Sequence, residues 1–233
     1  MNLFSSPPTQ ARLTLRVLSR LLRYPDAECR AHVPEMIEAL TQEAALPATR
    51  QGELTQLLLR LHQRDPLATE AEFVELFDRG RATSLHLFEH VHGDSRDRGP
   101  AMIDLLQTYE QAGLYLEEGE LPDHLSVLLE YASTQPPRQA RELLGETAHI
   151  LRAIFSALLK RQSPYASVLA AVLELAGEKA EAVPVPDDAP LDESWDEPPV
   201  FGGCSTEGQA RPGQPQPIRV VRNGPTQRQG AQA

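Results

Sequence analysis

The chain has 233 residues and a formal net charge of −11 at pH 7, so its field repels nucleic acid and anionic lipid and favours basic partners. Aromatics supply 5% of it, and the Leu- and Ala-rich remainder favours helix over strand. Its two cysteines, Cys29 and Cys204, stand far apart, which excludes a CxxC metal site and makes no disulfide framework.

Taken in order, Met1 to Gln10 lacks the basic-then-apolar pattern of a signal peptide, so the cytoplasm is the expected compartment. Ala11, Leu15, Leu18 and Leu22 then recur at spacings of four and three, the mark of an amphipathic helix, ended by Tyr24-Pro25. Pro25-Asp26 opens a short helical turn. Pro34 restarts the chain with Val33, Met36, Ile37 and Leu40 on one side. A third helix carries Leu54, Leu57, Leu58 and Leu61 and closes before Asp65-Pro66. The Thr69–Glu72 capping box predicts a fourth, with Phe73, Val74, Leu76 and Phe77, stopping at Arg79-Gly80.

Beyond the polar stretch from Arg81 to Gly99, Pro100 starts a helix with Met102, Leu105, Tyr109 and Ala112 in register, closed by Gly113. Pro122 starts another, with Leu125, Leu128, Leu129 and Ala132 inward. The longest helix follows Pro136-Pro137 and buries Leu143, Thr147, Ile150, Ile154 and Leu158. Ser163-Pro164 caps the last, with Tyr165, Val168, Val172 and Ala176 inward. The apolar run Ala166 to Gly177 is too short to span a bilayer. The expected fold is all-α: a single domain, residues 1–176, of about eight short antiparallel helices. Residues 177–233 read as a disordered tail, because nine of the twenty prolines fall in the last fifty-one residues and Val183 to Val200 carries six acids and no base. Trp195 to Gly203 is an aromatic island within it.

Chemistry concentrates between Ser84 and Gly99. His86 and His90 have i, i+4 ligand spacing on a helix, while His90, His92 and Asp94 would share a face on a strand. The two geometries exclude each other, and the Glu that zinc proteases place after the first His is missing. A metal-dependent hydrolase built on His86, His90, His92 and Asp94 is the alternative reading. Gly93-Asp94-Ser95 lacks a GxSxG elbow, and Asp123-His124 are neighbours in sequence without thereby forming a dyad. The alternating charges Asp94, Arg96, Asp97 and Arg98 fit a hydrogen-bonded connector, with turns at Gly93 and Gly99. No Walker A or GxGxxG loop occurs.

The block FVELFDRGRATSLHLFEHVHGDSRDRGPAMIDLL (73–106) resembles the signature of the NarJ-type nitrate reductase assembly chaperones. ELPDHLSVLLEYAS (120–133) is similar to the E-x-P-D-H block of the wider TorD/DmsD redox-enzyme maturation family. LLRYPDAE (21–28) and LDESWDEPPVFGG (191–203) add to the likeness. The resemblance implies a helical protein without catalytic activity and without a cofactor of its own. Its partner would be the catalytic (alpha) subunit of membrane-bound nitrate reductase, held through its N-terminal segment and kept competent for molybdenum cofactor insertion before membrane docking. A basic amphipathic leader in a groove suits the negative charge. On that reading Phe73, Phe77, Leu87 and Phe88 build an apolar groove and Glu89, Asp94, Asp97 and Asp123 form its acidic rim. His90, His92, His124, Arg96 and Arg98 shape the connectors, Asp78 and Pro122 complete the set, and the histidines make binding sensitive to pH near neutrality.

Overall fold

The computed structural model describes residues 10–93, 95–117 and 119–185. Asp94, Cys204 and the island from Trp195 to Gly203 lie outside them. Among the described residues there are eleven α-helices and no strand, only one isolated antiparallel bridge between His86 and His124. No helix among them is long and apolar enough to cross a membrane.

The first helices follow their sequence signals. α1 (Arg12–Leu21) buries Leu15, Leu18 and Leu21. Asp26 caps α2 (Ala27–Ala31), its carboxylate accepting from the Cys29 N–H at 2.7 Å. Cys29 is a core residue, 1% exposed, and burial raises its thiol pKa. α3 (Val33–Glu43) has Pro34 in its first turn and ends at Ala44 in the left-handed conformation. α4 (Ala48–Gln63) buries the four expected leucines.

α5 (Pro66–Phe73) begins a turn earlier than the capping box predicts. Asp65 is the cap, accepting from the Ala68 N–H at 2.9 Å, and Thr69 instead donates its hydroxyl to the Asp65 carbonyl from inside the helix. Pro66 at the first position explains this, since its fixed φ and missing N–H suit that place. A π-helical turn (Val74–Asp78) and a short 3-10 turn (Arg81–Thr83) follow. Between them Gly80 lies so close to its surroundings that a Cβ would meet the Leu76 carbonyl oxygen at 2.8 Å and crowd the Thr83 hydroxyl. Gly80→Ala is therefore expected to destabilise the fold by about 1–3 kcal/mol, read as a lower urea midpoint.

After α6 (Leu87–Val91) and α7 (Arg98–Gln111), α8 (Leu125–Thr134) packs along α1. The predicted longest helix is two: α9 (Pro137–Glu146) and α10 (Ala148–Lys160), broken at Thr147. Gly145 and β-branched Thr147 are weak helix formers, and the Thr147 hydroxyl donates to the Leu144 carbonyl at 3.0 Å, closing the first helix. α11 (Ala166–Ala176) is the central element. Val168 through Leu173 are wholly buried, packed by α10, α9, α4 and α1. Beyond Gly177 the chain lies against α10, with the Val183 N–H donating to the Ser156 hydroxyl at 2.9 Å.

α7 departs from its expected packing. Of Met102, Leu105, Tyr109 and Ala112, only Tyr109 is buried; Met102 and Leu105 are half-buried and Ala112 is exposed.

Candidate client-recognition site

The two chemically dense segments, residues 84–98 and 122–126, are joined by backbone. The Leu87 N–H donates to the Asp123 carbonyl at 3.0 Å and the Leu125 N–H to the Leu85 carbonyl at 2.8 Å. These two bonds fix the loop before α6 against the loop before α8. They also carry the Asp123 side chain inside.

Asp123 is 0% exposed. Sequence reasoning sets it on an acidic rim; instead it is the hub of a buried network. One carboxylate oxygen accepts from His86 Nδ1 at 3.2 Å. The other accepts from the Phe88 N–H at 3.3 Å and stands 3.5 Å from the Arg98 guanidinium. Burial by itself would raise this carboxyl's pKa; the His86 hydrogen bond and charge, the Phe88 N–H and Arg98 together hold it below the ordinary value. The same hydrogen bond raises His86, against the opposing pull of burial. Arg98 also reaches Glu89 at 3.5 Å, and Glu89 accepts from the Ser84 hydroxyl at 2.5 Å.

The neighbouring imidazoles have separate tasks. His90 Nε2 donates to the Ser84 carbonyl at 2.9 Å. His124 is the N-cap of α8: its Nδ1 accepts from the Ser126 N–H at 3.3 Å and from the Ser126 hydroxyl at 2.7 Å. The His86 and His124 rings meet edge to face, 5.0 Å apart. Burial, and then the charge of His86, lower the His124 pKa to about 4, so this ring is neutral at physiological pH. Among the described residues no three His, Cys, Asp or Glu side chains converge to hold a metal. His86 and His90, two of the four groups in the hydrolase reading, are turned to protein partners, and Asp94 lies outside the described residues.

The other predicted residues divide between core and surface. Phe73, Phe77 and Leu87 are 4–5% exposed; they are core, and do not form the open wall of a groove. Phe73 and Phe77 pack tilted against each other (4.8 Å between ring centres) and edge-on against Tyr165 (5.9 and 5.1 Å), their spacing of four keeping both rings on one side. Phe88 alone of the four apolar residues is partly exposed, its ring edge-on to His92 at 5.4 Å. Asp78, Arg96 and Asp97 are exposed, and Asp97 is held by the Ser95 hydroxyl at 3.2 Å. Pro122 is buried and its carbonyl accepts from the Tyr109 hydroxyl at 3.0 Å.

Sequence reasoning missed Tyr109, Ser19 and Ser84 as members of this region. Ser19 on α1 donates to the Ser126 carbonyl at 2.8 Å across 107 residues, a contact without any local signal.

Comparison with known proteins agrees with this architecture. A redox enzyme maturation protein from Archaeoglobus fulgidus superposes with a TM-score of 0.51 at 23% identity, covering 76% of this chain and 99% of that one; this establishes the fold. The nitrate reductase molybdenum cofactor assembly chaperone NarJ of Escherichia coli K12 is 46% identical over 195 residues, 79% of this chain and 83% of its own. The nitrate reductase-like protein NarX of Mycobacterium tuberculosis is 36% identical over 155 residues, 66% of this chain but 23% of that longer protein. Residues 26–171 match the family profile described as nitrate reductase delta subunit; the chain belongs to that family, alongside the NarJ-type assembly chaperones.

Proposed function

We propose that this protein is an assembly chaperone for a membrane-bound nitrate reductase. It binds the N-terminal segment of the catalytic subunit and keeps that subunit open for molybdenum cofactor insertion, on the cytoplasmic side and before membrane docking. The observation that carries the reading is the 46% identity to a named assembly chaperone across 83% of that protein's length.

The geometry supports a binding role over a catalytic one. Asp123 is fully buried and both its oxygens are taken by His86, Phe88 and Arg98. Such a carboxylate orders a loop junction; a general base must reach a substrate proton. The segments it joins carry Phe88, Val91 and α7 to the surface, so the network acts as a support beneath the proposed client surface.

The test is co-production of the catalytic subunit with and without this protein, using the intact client and a form lacking its N-terminal segment. Molybdenum bound per catalytic subunit should fall severely when either the chaperone or the segment is missing. Full loading of the intact client without this protein would overturn the assignment.

A further inference from the structure

Among the described residues, part of the apolar surface of α7 is left uncovered. Met102 and Leu106 are half-buried and Ile103 is 57% exposed, whereas α8 buries seven of its ten residues. Val91, at the end of α6, is 53% exposed. The Arg98–Glu89 pair ties the first turn of α7 to α6, so the two helices present their apolar side chains from one braced unit.

Beyond Arg98 the charge along this segment is acidic. From Gly99 to Pro137 the chain contains six carboxylates besides the buried Asp123, and no lysine or arginine. Arg23 enters from α1 and is engaged by Glu120 at 2.6 Å and Glu130 at 3.5 Å. Past the end of α7 a hollow of about 140 Å³ is lined by Tyr109, Tyr115 and Tyr131 together with Arg23, Glu117, Glu120 and Glu130; Arg23 engages Glu120 and Glu130, and Glu117 is the exposed carboxylate beside the rings. Aromatic faces beside carboxylates are the chemistry that accepts a guanidinium or ammonium group.

We propose that the outer strip of α7, with Val91 at one end and the tyrosine hollow at the other, seats the client's N-terminal segment as a basic amphipathic helix. Ile103, Leu106 and Met102 take its apolar side and the hollow takes one cationic side chain. The inference rests on the chaperone reading above and assigns its binding surface to residues outside the predicted groove. A second copy of this chain fits the face poorly, since it would bring another net −11 against it.

The test is calorimetry of the full chain with a synthetic peptide of the client's N-terminal segment and with a scrambled peptide of equal charge. Ile103→Asp should weaken leader binding at least tenfold. Leu67→Asp, on α5 and 75% exposed, should leave it unchanged, and neither should move the thermal midpoint by more than a few degrees. Glu117→Gln should weaken binding several-fold at low salt and little at high salt. Wild-type affinity in Ile103→Asp would overturn the surface while leaving the chaperone reading intact. Equal binding of leader and scrambled peptide by the wild type would overturn both. Loss of self-association without loss of peptide binding would give the face to a second copy and also overturn the proposal. Hydrogen exchange needs no variant: bound leader should slow the amides of residues 98–111, and unchanged exchange there would count against this surface.

Discussion

Asp123→Ala is expected to lower the stability of the fold by about 2–4 kcal/mol, the cost of leaving a buried N–H and a desolvated cation without their acceptor. The Phe88 N–H and His86 lose their partner outright, and Arg98 loses one of two. Asp123→Asn keeps a carbonyl oxygen for one donor but removes the charge, so it should cost roughly half as much. The comparison is read from urea midpoints at constant slope. A charge reversal at this position would test folding and not client binding, because the side chain is 0% exposed.

The pH dependence of that difference follows from the two shifted groups. The Asp123 pKa is lowered in the fold, so its contribution is present above the ordinary carboxylate value and is lost as pH falls through the lowered one. The His86 pKa is raised, so its contribution is complete below the ordinary imidazole value of about 6.5 and is lost as pH rises through the raised one. The gap between wild type and Asp123→Ala should be widest between about pH 4 and 6.5 and narrower on both sides. A gap independent of pH would mean that the pair is not ionised in the native state.

The second large effect is acid sensitivity centred on His124. Its pKa falls from an ordinary 6.5 to about 4 in the fold, through burial first and the charge of His86 second. The unfolded chain therefore binds a proton over that interval that the native state does not. The His124 contribution is full above about pH 6.5 and declines as pH falls toward 4, by a sum on the order of 3 kcal/mol. Protonation also removes the Nδ1 lone pair that caps α8, so the same event weakens the helix start beside Asp123. His124→Asn should flatten this acid limb, because asparagine can still cap a helix and does not titrate. Denaturation curves between pH 4 and 7 for the two proteins give the answer. Parallel acid limbs would show that other groups cause the loss.

Much of this molecule was legible in the order of its residues. Helix starts and stops are local matters, decided by Pro, Gly and the 3.6-residue recurrence of leucines, and α1, α3 and α4 lie where those signals put them, while α8 starts at Leu125 and not at Pro122. The errors are local as well. Pro66 outcompeted the Thr69 capping box, and Gly145 with Thr147 divided an apparently continuous stripe. The signature blocks named the family, which the relatives bear out.

The candidate site was legible in part. Sequence reasoning picked Asp123, Glu89, Arg98 and the histidines because polar residues are dense there. It misplaced Asp123 at a rim and Phe73 and Phe77 in an open groove, since the pattern Phe-x-x-x-Phe reads the same whether another element covers it or not.

What the sequence determined by itself is the all-helical class, most of the helix starts and stops and the sign of the charge, because these follow from neighbours within a turn or two. Only the tertiary structure decided that a carboxylate 37 positions from His86 would be buried against it, and that, among the described residues, part of the apolar side of α7 would stay exposed while Val168 to Leu173 of α11 were wholly buried. Burial depends on which distant elements pack together, and the apolar period of a helix carries no record of its cover.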